Sequence, residues 1–234
     1  MTPYERILPR YAPATRSTAD SRARFIVQTY NHLFGAIALF TLIEIALFTS
    51  GLAPVIAAGM LGTSWLLVLG GFVLVSWLAS RAAHTAQSRA VQYVALAGFV
   101  AAEAIVFVPL LVIAQARAPG ALQSASLVTF VGFAALTAIA FKTRKDFSFL
   151  GGFLRWGGIV ALLLIAGGAI FGFSLGTFFS VAMVGFAGAA ILYDTSNVIR
   201  EFPEDRPVAA ALQLFASVAL MFWYVLRLFI ASRD

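Results

Sequence analysis

The chain has 234 residues, of which 61% are hydrophobic and 11% charged, and it carries a net charge of +6. A soluble domain holds about 25% charged residues, so this composition excludes an ordinary soluble fold and reads as an all-α integral membrane protein with the lipid bilayer as its partner. Cysteine is absent, which removes disulfide and thiol chemistry. The basic residues sit between apolar runs and form no continuous face, so they point to anionic lipid heads and not to nucleic acid.

In chain order, residues 1–24 are polar and contain Arg6, Arg10, Arg16, Arg22 and Arg24. They lack the apolar core and small-residue cleavage pattern of a signal peptide. Pro3, Pro9 and Pro13 oppose a long helix, and the segment reads as a cytoplasmic N-terminal tail. Residues 25–234 read as one membrane domain. A span needs roughly 20 apolar residues, and seven candidates follow: 26–49, 59–80, 91–114, 122–141, 154–174, 177–198 and 208–230. The weakest division is "GFSLG" at 172–176, which holds no charge. A six-span chain with a long or re-entrant segment is the alternative. Residues 154–198 are too long for one crossing at about 1.5 Å per residue, which favours seven.

With the N-terminus in the cytoplasm, thirteen Lys and Arg fall on the inner side and three on the outer side. That asymmetry predicts the N-terminus inside and the C-terminus outside. Gly168, Gly172 and Gly176 are spaced by four, which suggests close helix packing.

No catalytic or metal motif is present. HExxH and CxxC spacings are missing, and His32 and His84 lie on different segments. "GFSLG" matches GxSxG formally, yet that motif needs a strand-turn-helix setting and a later His. Lys142 and Lys145 lie in a loop, which excludes a retinal Schiff base within a span. The sequence therefore reads as a non-enzyme without cofactor or metal.

The remaining chemistry is carboxylates at depth. A charge in hydrocarbon costs about 2.5–3.5 kcal/mol on insertion scales and survives when paired or facing a polar cavity. Asp194 lies just inside the end of the sixth span. On the seventh span Gln213 reaches a similar depth and Ser217 lies about 6 Å deeper, so both side chains can face Asp194 if the sixth and seventh spans pack antiparallel. Arg81 ends the second span near that level, and Asn197 shares the Asp194 face at i, i+3. These residues form a candidate pH or ion latch. Glu103, near the middle of the third span, is a candidate proton or cation relay. Glu44 and Arg227 come to similar depths on the first and seventh spans, which suggests a structural ion pair.

"TRKDFSFLGGFL" (143–154), "ILYDTSNVIR" (191–200) and "LRLFIASRD" (226–234) resemble the Bax inhibitor family, also called the transmembrane Bax inhibitor motif family. The "SFLGG" stretch and the "ASRD" ending resemble its bacterial YccA-type branch. The resemblance implies a seven-transmembrane-helix bundle with the C-terminal helix central. It implies a pH-sensitive calcium leak in some members, associated with an aspartate on each of the last two helices and an arginine on the second. Asp194 matches the first aspartate, Ser217 stands in place of the other, and Arg81 approximates the arginine. The YccA-type branch implies binding to, and restraint of, the membrane-bound FtsH quality-control protease. The first expectation is therefore a modulator of that protease, and the alternative is a pH-sensitive calcium or cation leak gated around Asp194.

Overall fold

The computed structural model describes residues 14–143 and 145–233, with side chains from residue 19 onward. Among them there are eight helices and no strand: α1 (Ala14–Thr49), α2 (Leu52–Leu61), α3 (Trp65–Thr85), α4 (Arg89–Arg117), α5 (Ala121–Thr143), α6 (Leu150–Phe171), α7 (Gly176–Arg200) and α8 (Pro207–Ala231). All but α2 are long and apolar enough to cross a membrane. The chain is thus an all-helical, multi-pass membrane protein. A helix is the natural solution in lipid, because it satisfies every backbone polar group within its own segment.

Two boundaries differ from those expected. The helix of α1 runs back to Ala14, so the latter part of the expected 1–24 tail is helical; residues 1–13 lie outside the described residues. The expected second span, 59–80, merges two helices. At about 1.5 Å per residue, α2 reaches only about 15 Å. It tucks Ala53 and Ala57 against Val108 of α4, and α3 starts afresh at Trp65.

The core gathers on α8. Pro207 opens the helix, where its missing N–H costs nothing. Ala209, Ala210 and Ala211 are 0% exposed, and small side chains let neighbouring backbones approach. Helix α8 packs against α1, α3, α4, α5 and α7, most extensively against α7. Helix α6 is the outlying span: it touches α7 and α3, and only Ala161 of it is buried. Glycine lets it come close to α7: a Cβ at Gly157 would stand 2.8 Å from the Phe186 ring, which would have to shift.

The "GFSLG" break is a true inter-helix turn. Gly172 and Gly176 have φ of 74° and 65°, a left-handed conformation that glycine adopts without strain. The spacing of four that suggested a packing stripe therefore serves the turn at two of its three positions.

Candidate functional site

Asp194 lies on α7 about 9 Å from its end at Arg200, by the rise per residue. It is 8% exposed, as is Ser217 on α8. The Ser217 hydroxyl donates to Asp194 Oδ2 at 2.6 Å, the short distance typical of a hydroxyl bonded to a carboxylate. The bond joins the two most closely packed helices of the bundle. Buried Ile191, Val198, Leu214 and Phe215 flank it along the same two helices. The carboxylate is thus sheltered from lipid and held by a polar neighbour from another span.

The other residues expected around Asp194 are placed differently. Arg81 is exposed, and its guanidinium lies over the Trp77 ring, 5.4 Å from the centroid. It makes no ion pair with Asp194, because α3 and α7 do not pack against each other. Gln213 is half-buried on α8, one turn before Ser217, and its amide makes no hydrogen bond to Asp194 among the described residues. Asn197 ends α7 through its backbone: its carbonyl accepts the N–H groups of Glu201 and Phe202, both at 2.8 Å.

Other polar groups near this seam carried no motif in the sequence. Thr195 is wholly buried and faces Tyr30 of α1 and Thr137 of α5; the three hydroxyls approach without reaching hydrogen-bond geometry. The Phe147 N–H donates to Ser196 Oγ at 3.2 Å, which docks the α5–α6 turn onto α7. Within that turn the Ser148 N–H donates to Asp146 Oδ1 at 2.8 Å and holds the Asp146 carboxyl below its ordinary value.

The α7–α8 loop is clamped from two sides. Arg22 of α1 pairs with Glu204 at 3.0 Å and donates to the Phe202 carbonyl at 2.7 Å. Arg206 donates to the His84 carbonyl at the end of α3. The Phe202 ring stacks on Phe25, 6.1 Å between centroids, and meets His84 at 5.7 Å. The helix ends that frame Asp194 are therefore tied to α1 and α3 as well as to each other.

The two remaining acids form no hydrogen bond or ion pair with this cluster among the described residues. Glu103 is 8% exposed in mid-α4, one turn from Phe99 and Phe107, which pack edge-on against Phe215 and Trp223 of α8. It has no ion pair among the described residues. Glu44 and Arg227 form no ion pair either. Both Glu44 oxygens are buried without a hydrogen-bond partner, and the residue lines a cavity of about 750 Å³ with Phe222 of α8. Arg227 lies five positions beyond Phe222, about 140° around the helix, so equal depth does not bring the charges together. No group of three or more His, Cys, Asp or Glu that could hold a metal occurs among the described residues.

The family described as "Inhibitor of apoptosis-promoting Bax1" matches residues 22–234. An uncharacterized protein of Campylobacter jejuni is 27% identical over 242 residues, covering 97% of each chain. An uncharacterized protein of Pseudomonas aeruginosa is 36% identical over 115 residues, covering 48% of this chain and 51% of its own. Bax inhibitor 1 of Schizosaccharomyces pombe is 32% identical over 109 residues, covering 44% of this chain and 40% of its own. Against the latter two relatives the chain thus matches about half of their length or less.

Proposed function

The chain belongs to the Bax inhibitor family, and from that premise we propose that it is a non-catalytic cation-leak protein of the bacterial inner membrane, latched where α7 meets α8. The carrying observation is the buried 2.6 Å bond from Ser217 to Asp194. A hydrogen bond to a carboxylate is roughly twice as strong as one between neutral groups. Protonating Asp194 weakens the tie between the helices, so the leak rises as pH falls. Calcium is the ion to be tried first. The Lys and Arg asymmetry supports an orientation with the N-terminus in the cytoplasm, which puts the latch near the cytoplasmic mouth. Glu103, deep in α4, is a candidate relay for the same ion path.

The test is calcium flux from liposomes holding the full chain, measured between pH 8 and pH 6. Wild type is expected to leak faster at the lower pH. Asp194→Asn, which cannot change charge, is expected to leak at a rate independent of pH. Equal pH profiles for the two proteins would eliminate Asp194 as the gate.

A second reading is modulation of the FtsH membrane protease. It is favoured by α1, which continues beyond the apolar run and carries Arg22 and Arg24 on the face where the α5–α6 turn and α7–α8 loop also lie. Arg22 is held by Glu204, whereas Arg24, with Arg6, Arg10 and Arg16 before it, offers a handle to a partner. Deleting residues 1–18 leaves the Arg22 clamp in place. The deletion is expected to abolish co-purification with the protease and to change the turnover of its membrane substrates. Unchanged co-purification and turnover would remove this reading.

A further inference from the structure

The cavity beside Glu44 is a second site, separate from the α7–α8 seam. Helices α1 and α5 meet where Tyr30 packs on Phe133 and Phe141, 6.4 and 6.0 Å between ring centroids, and beyond that contact the cavity lies between the two helices. Its mouth carries Phe34 of α1 and Phe130 of α5, 52% and 61% exposed. Its inner wall is Phe107 of α4 with Phe215 and Phe222 of α8. A volume of about 750 Å³ lies within the usual range for a small-molecule pocket.

One feature of this apolar cleft is chemically out of place. Glu44 is 8% exposed, and neither of its oxygens has a hydrogen-bond partner. Thr129 Oγ1, also on the cavity wall, is likewise buried without one. The nearby hydroxyls of Thr41 and Ser126 donate to carbonyls of their own helices, at 2.9 and 2.8 Å. No Lys, Arg or His lines the cavity. A buried carboxylate is costly unless a cation or donors meet it; the amides of Gln115 and Gln123 also line the cavity, yet no side chain is hydrogen-bonded to Glu44.

We propose that this cleft binds an amphipathic ammonium, with its charged head on Glu44 and its alkyl tail among the phenylalanines. The depth gradient fits such a molecule. Glu44 is about 7–8 Å from the end of α1, whereas Phe133, at the far end of the cleft, is about 18 Å into α5 from the same face. Head and tail would thus be ordered as in the adjoining lipid leaflet. A fatty acid would set a second carboxylate against Glu44, and a neutral alcohol would leave it without a counter-ion. A bare metal ion would find one carboxylate and too few oxygen ligands. The ammonium has two sources, a lipid headgroup or a free lipophilic amine.

The test uses the purified full chain in neutral detergent, titrated calorimetrically with dodecylamine and with dodecanol. Dodecylamine is expected to bind at least about tenfold more tightly, the margin of one charge-assisted contact. Glu44→Gln is expected to erase that preference and leave dodecanol binding unchanged. Ser126→Trp, which fills the cleft from α5, is expected to weaken both ligands. Equal affinities in wild type, or a preference that persists in Glu44→Gln, would overturn the proposal. The wild-type comparison decides the matter even where a variant fails to fold. Native mass spectrometry from vesicles of phosphatidylethanolamine and phosphatidylglycerol then separates the sources. Retained phosphatidylethanolamine that is lost in Glu44→Gln assigns a lipid head. Dodecylamine preference without such retention assigns a free amine.

Discussion

Asp194 and Glu44 are equally exposed, at 8%, and both interrupt apolar helices, yet the protein treats them in opposite ways. At the α7–α8 seam the carboxylate meets a hydroxyl from the central helix at 2.6 Å, inside tight packing. At the α1–α5 cleft the carboxylate faces a cavity and meets nothing. Burial alone therefore does not say what an intramembrane acid does. The decisive property is whether its partner is built into the fold, as at the seam, or has to come from outside, as at the cleft.

The largest expected contrast is in packing. Leu214 is 0% exposed beside the seam, and Leu214→Ala is expected to cost about 2–5 kcal/mol. In the cleft, Ala219→Leu extends a side chain into open volume and is expected to be neutral or stabilising. Thermal unfolding in detergent separates the two. A costly Ala219→Leu would mean that the cleft is narrower than described.

Next comes the polar contrast. Ser217→Ala leaves Asp194 without its donor and is expected to cost about 1–3 kcal/mol. Glu44→Leu removes an unpaired carboxylate and is expected to leave stability unchanged or raise it by about 1 kcal/mol. Unfolding midpoints shifted in the same direction would erase the distinction between the two regions. The smallest effect is Arg81→Gln, expected within about 0.5 kcal/mol, since its guanidinium rests on Trp77 and not on Asp194. A loss as large as that of Ser217→Ala would place Arg81 in the latch after all.

Much of this was legible in the sequence. The seven crossings stand out because charges or turn residues separate the apolar runs, even at uncharged "GFSLG", where two glycines with positive φ reverse the chain. Gln213 and Ser217 could both be offered as partners of Asp194 because antiparallel helices joined by a short loop have a fixed register, but depth alone set Gln213 level with the acid, whereas Ser217 makes the bond. The α2–α3 division was hidden, since both segments are apolar and only the Gly62–Ser64 stretch parts them. The Glu44–Arg227 pair was misjudged for a general reason. Residue number gives depth along a helix, but contact also depends on the angle around it and on which helices adjoin. The same gap explains Arg81, whose helix never touches α7. The Arg22–Glu204 clamp spans nearly the whole chain, and no local pattern announces it.

The proposed latch requires Asp194 and Ser217 to act as one coupled unit binding α7 to α8. A double-mutant cycle with Asp194→Asn, Ser217→Ala and the double variant, followed by reversible unfolding at neutral pH, measures this directly. A coupling energy of about 1–2 kcal/mol between the two positions is expected. Additive single effects, with coupling near zero, would contradict it.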